Sequence, residues 1–135
     1  MQKGFATLEV ILMVMVIGIL ASIAVPRFNT VTAAANTAKI QADLSTIDTA
    51  IAIYYMEKGK YPTELKDLED YLRGAKDDLK PPTGKCYVNT STDPIDVPDD
   101  KYAIKQPAAN SNDEARAILG NNDYTAEKFQ RKQTT

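Results

Sequence analysis

The carboxylates are the side chains whose placement points to chemistry. Glu9 stands at the head of an apolar run, Val10 to Val25, that carries no charge. A carboxylate in hydrocarbon costs roughly 2–3 kcal/mol or more at a helix centre. It persists there when an opposite charge offsets its burial. Four more acids, Asp93, Asp96, Asp99 and Asp100, crowd one short stretch. Such side chains supply oxygen ligands to Ca²⁺. Their spacing is not that of an EF-hand, so they read first as a solvated acidic loop and second as a calcium site. Enzymatic chemistry has few candidates. The chain has no histidine and one cysteine, Cys86. That excludes a Cys₂His₂ or Cys₄ zinc site within one chain, an intrachain disulfide and any His-dependent triad. Cys86 reads as a small, partly buried residue, since no imidazole exists to activate it. No carboxylate pair is marked out for acid/base work. The expectation is a protein that is not an enzyme and has no resident cofactor, Ca²⁺ being the one candidate.

The elements that carry these residues follow from hydropathy. The chain has 135 residues, 16 Lys+Arg against 18 Asp+Glu, and a net charge of −2. Without a basic stripe, no nucleic-acid binding is expected. Mean hydropathy is −0.32, so apolar character is concentrated at the start. As a helix, residues 5–25 would be about 30 Å long, the thickness of a hydrocarbon core. Three explanations compete for this segment. A secretory signal peptide would use Lys3 as its basic region and cut after Ser22-Ile23-Ala24. A plain single-pass anchor explains the length but not Glu9. Processing between Gly4 and Phe5 would place a new ammonium group four residues before Glu9, on the same helix face. Only the third explains where the charge lies.

Lys3-Gly4-Phe5, followed by Glu9 and a long apolar run, resembles the class III signal of type IV pilins and type II secretion pseudopilins. Gly18 and Pro26 also match positions where that family often has Gly and Pro, while Ala6-Thr7-Leu8 departs from the commoner Thr-Leu order. The resemblance implies a leader of residues 1–4, a transmembrane and filament-core helix over 5–28, and a pilin-like head over 29–135. It implies cleavage after Gly4 by a prepilin peptidase, N-methylation of Phe5, and a need for Glu9 in assembly. It implies an inner (cytoplasmic) membrane precursor that joins a periplasmic or extracellular helical homo-oligomer. An assembly ATPase and a platform protein would be partners. Major pseudopilins often carry calcium in a carboxy-proximal loop; the Asp-Pro-Trp-Gly stretch common near it is absent here. The alternative is a single-pass membrane-anchored or secreted binding protein.

Beyond Pro26 the helical pattern resumes. Ile40, Leu44, Ile47, Ile51 and Tyr54 share one face, while Gln41, Asp43, Ser45, Asp48 and Thr49 fall largely on others. Gly59 is the expected stop. Pro26 costs about 3 kcal/mol in a regular helix and Gly18 about 1 kcal/mol, so the spacing predicts a weak section at 18–26. The family resemblance implies that it unwinds in a filament. Thr63 is the expected N-cap of a short helix through Leu65, Leu68 and Leu72, ending near Gly74. Residues 75–84 read as a loop. Strands are expected at 85–90 and 101–106, paired with each other across an irregular Asp93–Asp100 loop. A short helix is expected near Asp113–Leu119, and a polar, mobile tail from Lys128. The fold class is α+β, a long helix packed on a small antiparallel sheet head.

Overall fold

The computed structural model describes residues 2–72, 79–120 and 123–132. One helix, α1 (Gln2–Lys58), opens the chain and enters both of its compact units, Met1–Thr32 and Ala33–Thr135.

In the first unit the described side chains of the helix are exposed. Its hydroxyls turn back on its own backbone: Thr7 donates to the Lys3 carbonyl at 2.9 Å and Ser22 to that of Ile19 at 2.7 Å. A helix whose hydroxyls are satisfied by its own backbone suits a medium without water.

The second unit is built on the expected stripe. Ile40, Leu44, Ile47 and Ile51 are buried and Tyr54 is half-buried. The helix stops where glycine permits a left-handed residue. Gly59 has φ +68° and donates its N–H to the Tyr55 carbonyl at 2.8 Å. A 3₁₀ turn, Leu65–Leu68, follows and buries Leu68. Its cap differs from expectation. The Asp67 carboxylate accepts from the Thr63 N–H at 3.0 Å, the Thr63 hydroxyl at 3.1 Å and the Glu64 N–H at 3.2 Å. These bonds, the Thr63 backbone first, hold the Asp67 carboxyl below its ordinary range. Asp67 therefore organises the turn, and Thr63 is its donor. The expected helix end at Gly74, with the first part of the 75–84 loop, lies outside the described residues.

Two antiparallel pairs complete the head. β1 (Lys85–Cys86) pairs with β2 (Ile95–Asp96), Lys85 facing Asp96 and Cys86 facing Ile95. β3 (Tyr102–Lys105) pairs with β4 (Arg116–Leu119), from Tyr102 opposite Leu119 to Lys105 opposite Arg116. The expected pairing of 85–90 with 101–106 is thus replaced by two local hairpin-like pairs. Pro94 and Pro98 bracket β2 without entering it, and Val97 still donates its N–H to the Gly84 carbonyl at 2.9 Å. The helix expected at Asp113–Leu119 is strand β4 over its second half. Glu, Ala, Arg and Leu favour a helix locally. Alternate burial wins here, with Ala117 and Leu119 in the core and Arg116 and Ile118 half-exposed. The tail from Lys128 is not loose at its start. Phe129 is fully buried, edge-on to Tyr124 with ring centroids 5.8 Å apart, and Arg131 lies 5.6 Å over the Tyr87 ring.

Gly120 closes the turn after β4. It has φ +78°, and a Cβ there would sit 2.7 Å from the Pro98 Cβ. Both conformation and contact demand glycine.

Candidate functional site

The apolar face of the first unit is the feature that the fold leaves unresolved. Its large side chains from Phe5 to Val25 are 49–73 % exposed. An 18-residue window of α1 has a mean hydropathy of 2.7, long and apolar enough to cross a membrane. Burying each such side chain is worth roughly 1.5–3 kcal/mol, so this surface does not rest in water.

Glu9 sits near the start of that face, flanked by Phe5, Leu8, Leu12, Met13 and Val16. The structure thus brings Phe5 and Glu9 together on one side, as their spacing of four requires. Among the described residues no hydrogen bond or ion pair reaches the Glu9 side chain. A methyl group added at Gly4 or Gly18 would meet nothing within 4 Å. The subunit's packing therefore gives no reason for either glycine. Residues 18–26 are helical throughout in the subunit.

The acidic loop is less convergent. Asp96, Asp99 and Asp100 line one shallow groove with Thr83, Gly84 and Val97, and Asp93 is not among them. Asp99 accepts the N–H of Asp100 at 2.7 Å, and the Asp93 carbonyl accepts the Ser91 hydroxyl at 2.8 Å. Among the described residues no three ligating side chains converge on a point that could hold a metal. Cys86 is fully buried, and burial, then the Asp96 charge, pushes its thiol up to about 11. It is a protonated core residue at neutral pH.

Polar residues of α1 carry a role that the apolar periodicity did not predict. Asn36 donates to the carbonyls of Thr83 at 3.1 Å and Lys85 at 2.9 Å. The Thr37 hydroxyl accepts the Tyr87 N–H at 2.7 Å. Asp43 accepts the Tyr102 hydroxyl at 2.7 Å, and Asp48 accepts the Ala117 N–H at 2.7 Å. Burial first, then Asp43, holds the Tyr102 phenol well above its ordinary range, so it stays a donor. Strands of two to four residues leave many backbone groups unpaired; these side chains supply the partners. The expectation that Asp43 and Asp48 lie off the packed face is corrected. Gln41, Ser45 and Thr49 are exposed as expected. The signal was legible: Thr37 continues the 40, 44, 47, 51 spacing backwards by one step.

The profile of the family described as "Type II secretion system (T2SS), protein G" matches residues 28–128. Among curated proteins, the type II secretion system core protein G of Escherichia coli K12 is 32 % identical over 71 residues, covering 53 % of this chain and 49 % of that protein. That of Klebsiella pneumoniae is 31 % identical over 68 residues, covering 50 % and 49 %. The type IV narrow pilus major component PilA5 of Thermus thermophilus is 39 % identical over 61 residues, covering 45 % and 53 %. The chain spans about half the length of these relatives. No solved structure matches significantly.

Proposed function

Because this chain belongs to the type II secretion system protein G family, we propose that it is the structural subunit of a membrane-assembled filament, polymerised through packing of its N-terminal helices. The observation that carries this reading is the exposed apolar face of residues 5–25 with one unpartnered carboxylate in it. Copies of the same helix supply the apolar cover, and lipid supplies it before assembly. In this reading the precursor is a single-pass protein of the inner membrane. A prepilin peptidase cuts after Gly4 and methylates the new terminus at Phe5. An assembly ATPase and a platform protein then draw the subunit into a periplasmic or extracellular fibre. The subunit itself performs no catalysis and needs no nucleic acid.

The glycine at the cut is the sharpest test. The peptidase must grip extended backbone, where Gly adds no Cβ. Since a side chain at Gly4 meets nothing in the subunit, Gly4→Leu should fold and insert normally. It should accumulate as an uncleaved membrane precursor. A Phe5 terminus on that variant would end the processing claim. A terminus at Val25 on the natural sequence would instead identify a secreted binding protein.

Gly18 and Pro26 mark where the helix would open when subunits pack. A filament density map with unbroken α-helical hydrogen bonding through 18–26 would remove that step. The likeness to the Thermus thermophilus pilus component favours a type IV pilus as the second reading. A deletion strain that keeps protein secretion but loses surface fibres would select it.

A further inference from the structure

We propose that the carboxy-terminal part of the head is closed by the guanidinium of Arg116 and by direct loop contacts, and that it folds without a divalent cation. The inference concerns the head alone and does not rest on filament assembly.

Arg116 stands on β4 between two acids from distant parts of the chain. Its Nε donates to Asp48 Oδ2 at 3.2 Å, and its Nη2 lies 3.1 Å from the same oxygen. Nη2 also donates to Glu127 Oε1 at 2.6 Å. Asp48 belongs to α1 and Glu127 to the 3₁₀ turn Ala126–Lys128. One fixed planar cation therefore joins the long helix, the last strand and the final turn. The other Asp48 oxygen takes the Ala117 N–H, so the carboxylate is used at both ends. Hydrogen bonding from Arg116 holds the Glu127 carboxyl down at about 2, so it is charged across the neutral range.

The acidic loop is likewise held by protein. Val97 is tied to Gly84 through the backbone, and Pro98 packs onto Gly120 with no room for a Cβ. Lys105 pairs with Asp123 near the same turn. Of the acids of this loop, Asp93 lies outside the groove lined by Asp96, Asp99 and Asp100, Asp99 accepts the Asp100 N–H, and among the described residues no three ligating side chains converge on one point. A cation would have to draw these side chains together in order to gather three ligands.

The test is thermal melting of the full chain in detergent micelles, followed by tyrosine circular dichroism. A calcium site of the extracellular kind, with Kd about 10⁻⁴ M, would raise Tm by roughly 10–20 °C at about 10 mM Ca²⁺. We expect a difference below about 2 °C between EDTA and calcium. Arg116→Met should lower Tm by roughly 10 °C, equally in both buffers. Should that variant show no transition, Glu127→Gln replaces it, with an expected loss of a few degrees in both. A calcium-induced rise of ten degrees or more overturns the proposal. So does Arg116→Met, or in its place Glu127→Gln, melting like the natural chain.

Discussion

Glu9→Ala is expected to be cleaved and retained in the membrane at natural levels, yet to yield almost no filament. The substitution leaves Gly4 and Phe5 untouched, so processing has its full recognition sequence. It also removes a carboxylate that has no partner within the described subunit, so the fold loses nothing. The loss appears on assembly. In the proposed filament a free ammonium at Phe5, from an adjacent copy, would offset the Glu9 carboxylate within an apolar bundle. Removing one member leaves a buried unpaired charge, at a cost of about 3–5 kcal/mol per subunit. That weakens addition of each subunit by roughly two to four orders of magnitude. In that filament the pair would also fix axial register, because only one offset between neighbouring helices satisfies both charges. Glu9→Gln keeps the size and loses the charge, and should fail in the same way. Shearing and pelleting of fibres, with N-terminal sequencing of the membrane fraction, reads both halves of the outcome. Normal fibre yield from Glu9→Ala would remove the pairing.

Phe129→Ala should be the most damaging single truncation in the head. Its ring is fully buried and edge-on to Tyr124, although the surrounding sequence, Glu127-Lys128-Phe129-Gln130-Arg131-Lys132, is polar. Removing a buried Phe side chain costs about 3–5 kcal/mol, the loss of transfer energy plus the cavity left behind. For a head of this size Tm should fall by roughly 15–30 °C. Lys132→Ala, at an exposed neighbour, should change Tm by no more than a few degrees. A Phe129→Ala variant melting within a few degrees of the natural chain would show that the end of the chain is not part of the core.

The long helix was legible because its signals are local and repeated. The apolar run, the 4-3-4-3 spacing of Ile40, Leu44, Ile47, Ile51 and Tyr54, and Gly59 at the stop each act within a few residues of themselves. The head was less legible because its strands are too short to carry a period. β1 and β2 have two residues each, and Pro94 and Pro98 hid β2 from any rule that discounts prolines. At Ala115–Leu119 local preference favours helix, and only pairing with β3 and the Asp48 bond to Ala117 decide for strand. Phe129 was lost among charges, since one aromatic residue has no period at all. The residues proposed for processing and assembly show the reverse pattern. Gly4, Phe5 and Glu9 were conspicuous in sequence because nothing in the subunit needs them. Asn36, Thr37 and Asp48 were inconspicuous because they bond backbone groups 47–69 residues away, and Asp43 and Arg116 because they bond the side chains of Tyr102 and Asp48, 59 and 68 residues away.

In the proposed filament, Glu9 is tolerated because processing creates a positive terminus at Phe5. The most direct measurement is the intact mass of the chain isolated from sheared filaments, with fragmentation of its first residues. The expected polypeptide begins at Phe5, carries one additional methyl group on its terminal nitrogen and retains Glu9 unmodified. A filament chain that still begins at Met1, or one that begins at Val25 without Glu9, would contradict it.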